Sequence, residues 1–502
     1  MNSRNVSLQI PWLIAIIAIA GGMRVVGLNG EWLWYDELLS VNFSAGGVLD
    51  TILTVARFDV HPPLYYVQLA FWMAFGSSDA FVMGNSVVWS VLTIAVVYAA
   101  GIRQGGRMAA AIAAALVAVS PAAIYFSHQV RMYSFLSFLL VSAFACMVRF
   151  LQSGQRKNLV FACVLMAATA YSHAAGILMA SGVATYGIMA TVQARDWRQF
   201  RLLIGMYLLL AILCIPAVAF VANRGINHAV APGLTDVGET LRFLFVGADN
   251  SVAAFDAFSL GVLGLAFLVF VATAASSRML VATTVVVPIA LIFLVSHLVT
   301  AIWLDRTVVF VVPFLALGFG QRVAMMADRP GRRLGLVACC AVAALGLTSL
   351  AGAEQVSRST KGDAYRPMAQ FVADSVRPGD LLLLDMPAYS AWCFLWYFGG
   401  QNWGRPLEFH DVNPTWRRLL DRIGPVWSRR LGWIPSARSY VIGGRTVTAT
   451  FLEPPPELPT GVRVVVVRQG AGISPTATRA LPPPRGDARR FENFTVEARG
   501  GD

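Results

Sequence analysis

Long apolar runs separated by short charged stretches fill most of the first 350 residues, and no other feature restricts the fold as much. A helix needs roughly 20 apolar residues, about 30 Å at 1.5 Å per residue, to cross the hydrocarbon core of a bilayer. Hydrophobic residues make up 57% of the chain and charged residues 13%. The sequence therefore predicts an α-helical polytopic membrane protein with about 11 transmembrane helices. The candidate runs are residues 7–28, 80–101, 108–126, 133–151, 158–174, 175–193, 202–222, 256–274, 279–300, 306–321 and 334–352.

One apolar segment, Pro62 to Gly76, decides the orientation of all later helices. Its 15 residues reach only about 22 Å as a helix, and it begins with two prolines. We therefore predict that this segment lies in the membrane interface rather than spanning the membrane. One face of the membrane then collects most of the cations of the loops, and by the positive-inside rule this face is cytoplasmic. These cations are Arg103, Arg107, Arg149, Arg156, Lys157, Arg195, Arg198, Arg201, Arg278, Arg322, Arg329, Arg332 and Arg333.

The same cations account for the formal net charge of +12, so the charge does not indicate nucleic acid as a partner. The six cysteines lie almost all inside apolar runs and have no CxxC spacing, so neither a zinc cluster nor a disulfide framework is predicted. The first apolar run follows Arg4 and has no clear small-x-small cleavage site before Arg24. We therefore expect a retained helix rather than a signal peptide.

After residue 353 the composition becomes that of ordinary soluble sequence. A helix at Arg366–Val376, a Pro-Gly-Asp turn and a buried strand at Leu381–Leu384 are predicted, with a further strand at Val464–Val467. These elements indicate a small α/β domain outside the membrane. We predict a transmembrane domain over residues 1–353, with 28–79 as its first outer loop, an outer domain over 354–470, and a loosely ordered tail over 471–502.

Two adjacent carboxylates, Asp36 and Glu37, begin a polar segment just after the first apolar run, behind the aromatic residues Trp32, Trp34 and Tyr35. Burying each carboxylate in hydrocarbon costs about 2.5–3.5 kcal/mol on insertion scales, so the pair belongs at the water boundary or in a polar cavity. Neighbours on a helix point about 100° apart, so one carboxylate can face a substrate while the other orients the loop. The alternative is a solvated acidic helix start.

The same loop ends in FDVHPPLYY, which contains Asp59, His61 and Tyr65. The two prolines hold the backbone extended before the interfacial segment. A histidine here can donate to a phosphate oxygen, and the alternative is a histidine that only caps or hydrogen-bonds the loop. Asp59 and Tyr65 are candidates to line the same cavity.

Three later outward connections add polar groups of both signs. Arg131 begins a predicted spanning helix, where a lone arginine is costly and is expected to meet an anion, although it can also reach lipid headgroups. His173 and the pair Asp305–Arg306 lie where other helices reach the same face, with a structural hydrogen bond and an internal ion pair as their respective alternatives. The other candidates near Arg131 are His128, Gln129 and Tyr133.

The chain has no Walker A sequence, HExxH, GxSxG or DxD motif. It nevertheless resembles the membrane glycosyltransferases of the GT-C fold, in particular the family-39-like group of protein O-mannosyltransferases and lipid A aminoarabinose transferases. The matching stretches are YDE at 35–37, HPPLYY at 61–66, SPAAIYFSHQVRMY at 120–133, YSHAAG at 171–176, DRTVVFVVP at 305–313 and KGDAYRPMAQFVADSVRPGD at 361–380.

The resemblance implies transfer of a sugar from a polyprenyl phosphate to a hydroxyl acceptor, typically with inversion, on the periplasmic or extracellular side. It implies that Asp36 is the general base with Glu37 beside it, and that His61 and Arg131 contact the donor phosphate, joined in our reading by Arg306. Relatives commonly read SQEARxY where this chain reads SHQVRMY. Gln129 then replaces an acid, which leaves a divalent metal doubtful, and no cofactor is predicted with certainty.

The expected partners are an undecaprenyl- or decaprenyl-phosphate-linked sugar, membrane lipid, and a glycan, lipid or protein acceptor. The expected location is the bacterial cytoplasmic membrane, crossed several times. The sequence leaves two alternatives open, a transporter or flippase of lipid-linked sugars and a surface-glycan polymerase or ligase that uses polyprenyl carriers.

Overall fold

The structure, a computed structural model, describes the larger part of the chain and divides into two compact units. The first unit comprises residues 1–30 and 44–359, and the second comprises residues 31–43 and 360–502. The described residues are 10–26, 28–222, 231–246, 275–327, 365–386, 390, 393–394, 397–398, 437–442, 445–451, 463–469, 488–491 and 494–499.

The described part of the chain is mostly helical. In chain order its helices are α1 (Ile10–Val25), α2 (Tyr35–Ser44), α3 (Val48–Phe58), α4 (Leu64–Met73), α5 (Asp79–Val119), α6 (Pro121–Ser127), α7 (Tyr133–Ser153), α8 (Arg156–Ala170), α9 (Gly176–Gln193), α10 (Trp197–Ala222), α11 (Leu234–Val246), α12 (Ala275–Val281), α13 (Val287–Leu298), α14 (Asp305–Val308), α15 (Val311–Ala327) and α16 (Tyr365–Ser375).

Five described helices are long and apolar enough to cross a bilayer, namely α5, α7, α9, α10 and the helix over Ser277–Leu298 that joins α12 to α13 through a π-helical turn. Two shorter apolar helices lie within α1 and α15. The protein is therefore a multi-pass membrane protein, as the apolar runs predict. The predicted spans at 256–274 and 334–352 lie outside the described residues.

Helix α5 is a hairpin of two helices joined at Gly106. A straight helix would separate residues 101 and 110 by about 13.5 Å, whereas a Cβ added to Gly101 would lie 2.7 Å from the Cα of Ala110. Gly106 has φ +79°, a left-handed conformation that glycine adopts without strain. The predicted runs at 80–101 and 108–126 are thus two separate helices, but the second ends at Val119 because Pro121 begins the new helix α6.

Residues 28–79, which the sequence analysis predicts to be the first outer loop, contain three short helices, α2, α3 and α4, of 10, 11 and 10 residues. A 10-residue helix reaches about 15 Å, half the thickness of the hydrocarbon core. Helix α4 is therefore too short to span a membrane, as predicted for Pro62 to Gly76.

Arg24 is completely buried in the helical unit. Its guanidinium donates to Ser90 Oγ at 2.8 Å and to the carbonyl oxygens of Val117 and Ala118 at 3.0 and 2.8 Å. These carbonyls belong to the last turn of α5, where the regular i to i+4 hydrogen bonds of the helix end. Arg24 therefore caps α5 and joins it to α1, a role that the sequence analysis did not assign.

The second unit contains a six-stranded sheet of order β2-β3-β1-β4-β6-β5. The strands are β1 (Leu381–Asp385), β2 (Ala437–Ile442), β3 (Arg445–Phe451), β4 (Val464–Gln469), β5 (Arg489–Phe491) and β6 (Phe494–Arg499). The strands β3, β1 and β4 are parallel, and the remaining pairs are antiparallel. Helix α16 and strands β1 and β4 lie where the sequence predicts a helix and two strands, within two residues at each end.

Two strands fall in the stretch 471–502, which the sequence analysis expected to be loosely ordered. Strand β6 pairs with β4 along its whole length. The side chains of its first four residues alternate, with Phe494 and Val496 buried and Thr495 and Glu497 partly exposed. This period of two is typical of a strand with one buried face. The sequence analysis did not predict the strand because it relied on the Pro- and Gly-rich composition upstream.

Candidate functional site

Two loops of the helical unit bring His61 and His173 together. The centroids of the two imidazole rings lie 4.4 Å apart with an interplanar angle of 34°. His61 lies in the loop before α4, and His173 lies in the loop between α8 and α9. The loops are joined by two backbone donors, the N–H of Leu64 to the carbonyl of Tyr171 at 3.0 Å and the N–H of Ala174 to His61 Nδ1 at 3.2 Å.

The sequences HPPL and SHAAG produce this junction. Pro62 and Pro63 have no N–H, so Leu64 supplies the first backbone donor of α4 and donates it to the neighbouring loop. Gly176 permits the close approach of α9 to the end of α8, because a Cβ there would lie 2.1 Å from the carbonyl oxygen of Thr169. The tight turn at 171–175 therefore requires glycine at position 176.

Both histidines accept a hydrogen bond at Nδ1. The donor to His61 is the N–H of Ala174, and the donor to His173 is the N–H of Ala175 at 3.0 Å. Burial lowers the pKa of both imidazoles well below the usual value, and the positive charges of Arg131 and Arg306 lower each pKa further. Both rings are therefore neutral near pH 7. An accepting Nδ1 places the remaining proton on Nε2, which can donate to a ligand.

Tyr66 links Asp59 to Arg131. Its hydroxyl donates to the Asp59 carboxylate and accepts from Arg131 Nη1 at 3.3 Å. Burial raises the pKa of the Tyr66 hydroxyl, so the group keeps its proton and remains a donor. Asp59 Oδ1 also accepts the backbone N–H of His61 at 2.9 Å, which fixes the loop. The cationic head of Arg131 and the His61 loop are thus held by one network.

Arg306, the second residue of α14, contributes a second cation to the cluster. Arg306 is partly buried, and its positive charge lowers the pKa of both imidazoles. The cluster therefore combines two guanidinium groups, two neutral imidazoles, one carboxylate and one hydroxyl. Its net formal charge is positive, which suits a bound anion.

The other residues predicted for this region occupy different places. Tyr65 is fully buried and packs edge-on against Tyr66 at 5.4 Å. Tyr133 is buried with its ring centroid 6.4 Å from that of His173. His128 caps the C-terminus of α6, and the carbonyl of Gln129 accepts from Ser86 Oγ at 2.5 Å, so both are buried in the turn that presents Arg131. The side chain of Asp305 lies outside the described residues.

Asp36 and Glu37 lie in the first turn of α2, within the second unit. Glu37 is completely buried, and its Oε2 accepts the backbone N–H of Trp34 at 3.2 Å. This bond satisfies a backbone donor just ahead of the helix, as in the reciprocal half of a capping box. Asp36 is partly exposed. The two carboxylates thus differ in their surroundings. Glu37 is hydrogen-bonded to the backbone at the helix start, whereas Asp36 is partly exposed.

Sequence reasoning missed two residues of this picture. The sequence analysis predicts Tyr65, and not its neighbour Tyr66, as a residue of the cavity. Periodicity alone does not decide which of two adjacent tyrosines on a short helix faces a polar cluster. Tyr397 holds the backbone of Leu33, and no local signal connects positions so far apart in sequence. Within the described part of the chain no group of three His, Cys, Asp or Glu side chains is arranged to hold a metal ion.

These features define a multi-pass membrane protein with a partly buried cationic cluster and an α/β unit. Residues 60–220 match the family model described as dolichyl-phosphate-mannose-protein mannosyltransferase. His61, Tyr66, Arg131 and His173 lie in this stretch. No curated protein matches the sequence when whole sequences are compared.

Two solved structures with a similar fold align with nearly the whole chain. ArnT from Cupriavidus metallidurans in the apo state aligns with a TM-score of 0.54 and 15% identity, over 97% of this chain and 98% of that one. ArnT from the same organism bound to undecaprenyl phosphate aligns with a TM-score of 0.53, 15% identity and the same coverage. The oligosaccharyltransferase of Archaeoglobus fulgidus aligns less well, with a TM-score of 0.46 and 11% identity over 77% of this chain and 64% of that one.

The chain therefore has the GT-C fold. The resemblance to family-39-like membrane glycosyltransferases is confirmed by this fold together with the family model.

Proposed function

We propose that the protein is a glycosyltransferase that moves a sugar from a polyprenyl-phosphate donor to a hydroxyl acceptor. The observation that carries this proposal is the cluster of His61, His173, Arg131 and Arg306 in a GT-C membrane fold, in which His173 and Arg131 are buried and His61 and Arg306 are partly buried. A phosphodiester needs cationic and N–H donors that are held in advance and shielded from water. The relative ArnT has been crystallised with undecaprenyl phosphate, which supports the same class of lipid carrier here.

In the proposed reaction Asp36 acts as the general base. Its carboxylate takes the proton of the acceptor hydroxyl while the acceptor oxygen forms a bond to the anomeric carbon. The bond between that carbon and the phosphate oxygen breaks, and its electron pair stays on the departing polyprenyl phosphate. A single displacement of this kind inverts the anomeric centre.

The cluster has the complementary task of stabilising the leaving group. The donor carries one negative charge as a phosphodiester, and the departing phosphomonoester carries between one and two near pH 7. Arg131 and Arg306 attract the charge that grows on the phosphate, and the Nε2–H groups of the neutral histidines donate hydrogen bonds without adding repulsion among the cations. Tyr66 and Asp59 hold Arg131 in place for this contact.

The side of the membrane and the substrates belong to the same proposal. The positive-inside distribution of the loop cations favours reaction on the periplasmic or extracellular face of a bacterial cytoplasmic membrane. The match to a mannosyltransferase family model favours a hexose, and the resemblance to aminoarabinose transferases gives a pentose as the alternative donor. The acceptor is a hydroxyl on a glycan, lipid or protein.

The base is tested by Asp36→Asn in the purified full chain, reconstituted in lipid nanodiscs with undecaprenyl-phosphate mannose and other polyprenyl-phosphate sugars as donors. We expect kcat to fall at least about 100-fold, the lower range for an acid–base group, with the protein still folded. Asp50→Asn is the matched control, since Asp50 lies on α3 and has no proposed role. Near-normal turnover by Asp36→Asn would contradict the assignment.

A further inference from the structure

The segment that carries Asp36 is held by the C-terminal part of the chain. Residues 31–43 form one compact unit with residues 360–502, although about 320 residues separate the two stretches in sequence. We propose that Tyr397 is a positioning residue that fixes the backbone ahead of Asp36. This inference rests on the proposed role of Asp36 as the base.

The hydroxyl of Tyr397 makes two hydrogen bonds to one residue. It accepts the backbone N–H of Leu33 at 2.6 Å and donates to the carbonyl oxygen of Leu33 at 3.3 Å. A phenolic hydroxyl is one of the few side-chain groups that can do both at once. The side chain of Leu33 is itself buried, with 1% of its surface exposed. Both the backbone and the side chain of Leu33 are therefore fixed.

The contact at Leu33 reaches Asp36 through the start of α2. The carbonyl of Trp34 accepts the N–H groups of Glu37 and Leu38 at 3.0 and 2.9 Å, and the N–H of Trp34 donates to the Glu37 carboxylate. Asp36 is the second residue of this helix. Because the first turn is closed around Trp34, a displacement of Leu33 rotates or frays the turn that sets the direction of the Asp36 side chain.

Tyr397 is itself anchored in the core of the second unit. The described residues Ser390, Cys393, Phe394, Tyr397 and Phe398 are helical and recur at the spacing of one helix face. Four of them are buried, and Tyr397 is partly exposed. The Phe394 and Phe398 rings stack at 5.3 Å.

A second hydroxyl bond ties this face to the rest of the unit. Tyr365 on α16 donates to Ser390 Oγ at 3.1 Å, and its ring packs 5.3 Å from that of Phe494 on β6. Tyr397 therefore lies on a helix face that is hydrogen-bonded to α16. The inference gives the C-terminal unit a task within the reaction, which is to hold the base in its working direction.

Tyr397→Phe tests this role because it removes only the hydroxyl. Hydrogen exchange of the full chain in nanodiscs should show faster exchange across residues 31–43 and unchanged exchange at 365–386. With undecaprenyl-phosphate mannose or whichever polyprenyl-phosphate sugar proves active, kcat should fall by about 10- to 100-fold, the range for misplacing a reacting group by up to 1 Å. KM for the donor should stay within twofold of wild type.

Two comparisons separate positioning from general damage. Ser375→Ala removes another hydroxyl of the same unit, one that bonds to the carbonyl of Phe371 within α16, and should leave both kcat and the exchange of 31–43 unchanged. In an Asp36→Asn background, Tyr397→Phe should lower the residual rate no further, because the effect passes through Asp36.

Three results for Tyr397→Phe would each overturn the role of Tyr397. They are unchanged hydrogen exchange across residues 31–43, a wild-type kcat, and a further fall in kcat in the Asp36→Asn background as large as the fall in the wild-type background. These outcomes leave the base assignment intact. The base assignment is tested by a different variant, Asp36→Asn, which replaces the carboxylate with an uncharged amide of similar size. Near-normal turnover by that variant would overturn the base assignment.

Discussion

Tyr66 accepts a hydrogen bond from Arg131 Nη1 at 3.3 Å and donates one to Asp59, so a single hydroxyl couples a buried cation to the carboxylate of the His61 loop. Asp59 offsets part of the charge of Arg131, and its Oδ1 also accepts the backbone N–H of His61. The cluster can therefore hold a guanidinium away from bulk water and still keep a net positive charge for an anion.

Arg131→Gln should weaken binding of undecaprenyl phosphate by about 10- to 100-fold, since a hydrogen bond to a charged group contributes about 1.5–3 kcal/mol. The measurement is titration of the reconstituted protein with the lipid phosphate. Arg103→Gln is the matched control because Arg103 bonds to Gln152 at an exposed position. Equal affinity for wild type and Arg131→Gln would remove Arg131 from the phosphate site.

Acid should destabilise the protein through the paired histidines. The pKa of each imidazole is lowered in the folded state, whereas in the unfolded chain it is near 6.5. Below about pH 6.5 the unfolded state binds more protons, so the free energy of unfolding falls as pH falls towards the folded pKa, by at most about 1.4 kcal/mol per pH unit for each histidine.

Melting temperatures between pH 7.5 and 5.5 measure this slope. The double variant His61→Gln, His173→Gln should flatten the slope, while His297→Gln should not, because His297 is exposed on α13. A slope that survives in the double variant would show that other groups control the acid response.

Gly176→Ala should disturb the turn that carries His173. The added Cβ would meet the backbone carbonyl of Thr169 at 2.1 Å, so the backbone must shift, at a cost of about 1–3 kcal/mol as for other overpacked sites. Gly205→Ala is the control, since a Cβ there meets nothing within 4 Å. Thermal unfolding of both variants checks the prediction, and equal melting temperatures would contradict the close approach of α9 to α8.

Arg24→Met should lower stability by about 1–3 kcal/mol for each buried acceptor that loses its donor, or prevent folding. The carbonyls of Val117 and Ala118 would lose the guanidinium N–H donors at the end of the α5 hairpin. Expression and thermal unfolding in detergent give the readout, with Arg107→Met at an exposed position as the control. Wild-type stability of Arg24→Met would show that α5 does not need this cap.

The sequence predicted the helical runs and the polar residues of the cluster because both follow from local composition. Runs near 20 apolar residues have few alternatives, and an arginine or histidine beside them needs a polar partner. The pairing of His61 with His173 could not be predicted in this way, since it depends on Leu64, Ala174 and Gly176 joining two distant loops. The strands near the C-terminus were missed because six residues of alternation are a weak signal beside a Pro-rich stretch.

The grouping of residues 31–43 with the C-terminal unit was also beyond local reasoning. The sequence analysis assigned Asp36 to the outer loop of the membrane domain, and that domain assignment remains a prediction. The contacts of Leu33 with Tyr397 depend on long-range packing, which no spacing or periodicity reports.

The most direct test of glycosyl transfer follows the carbon–oxygen bond of the donor. The purified full chain in lipid vesicles is incubated with polyprenyl-phosphate sugars labelled in the sugar, with and without a cell-envelope fraction as acceptor. Our account predicts free polyprenyl phosphate and an equal amount of glycosylated product, formed only when the acceptor is present and nearly abolished in Asp36→Asn. Movement of the labelled lipid across the vesicle membrane with its bond intact and no product would contradict it and indicate a flippase.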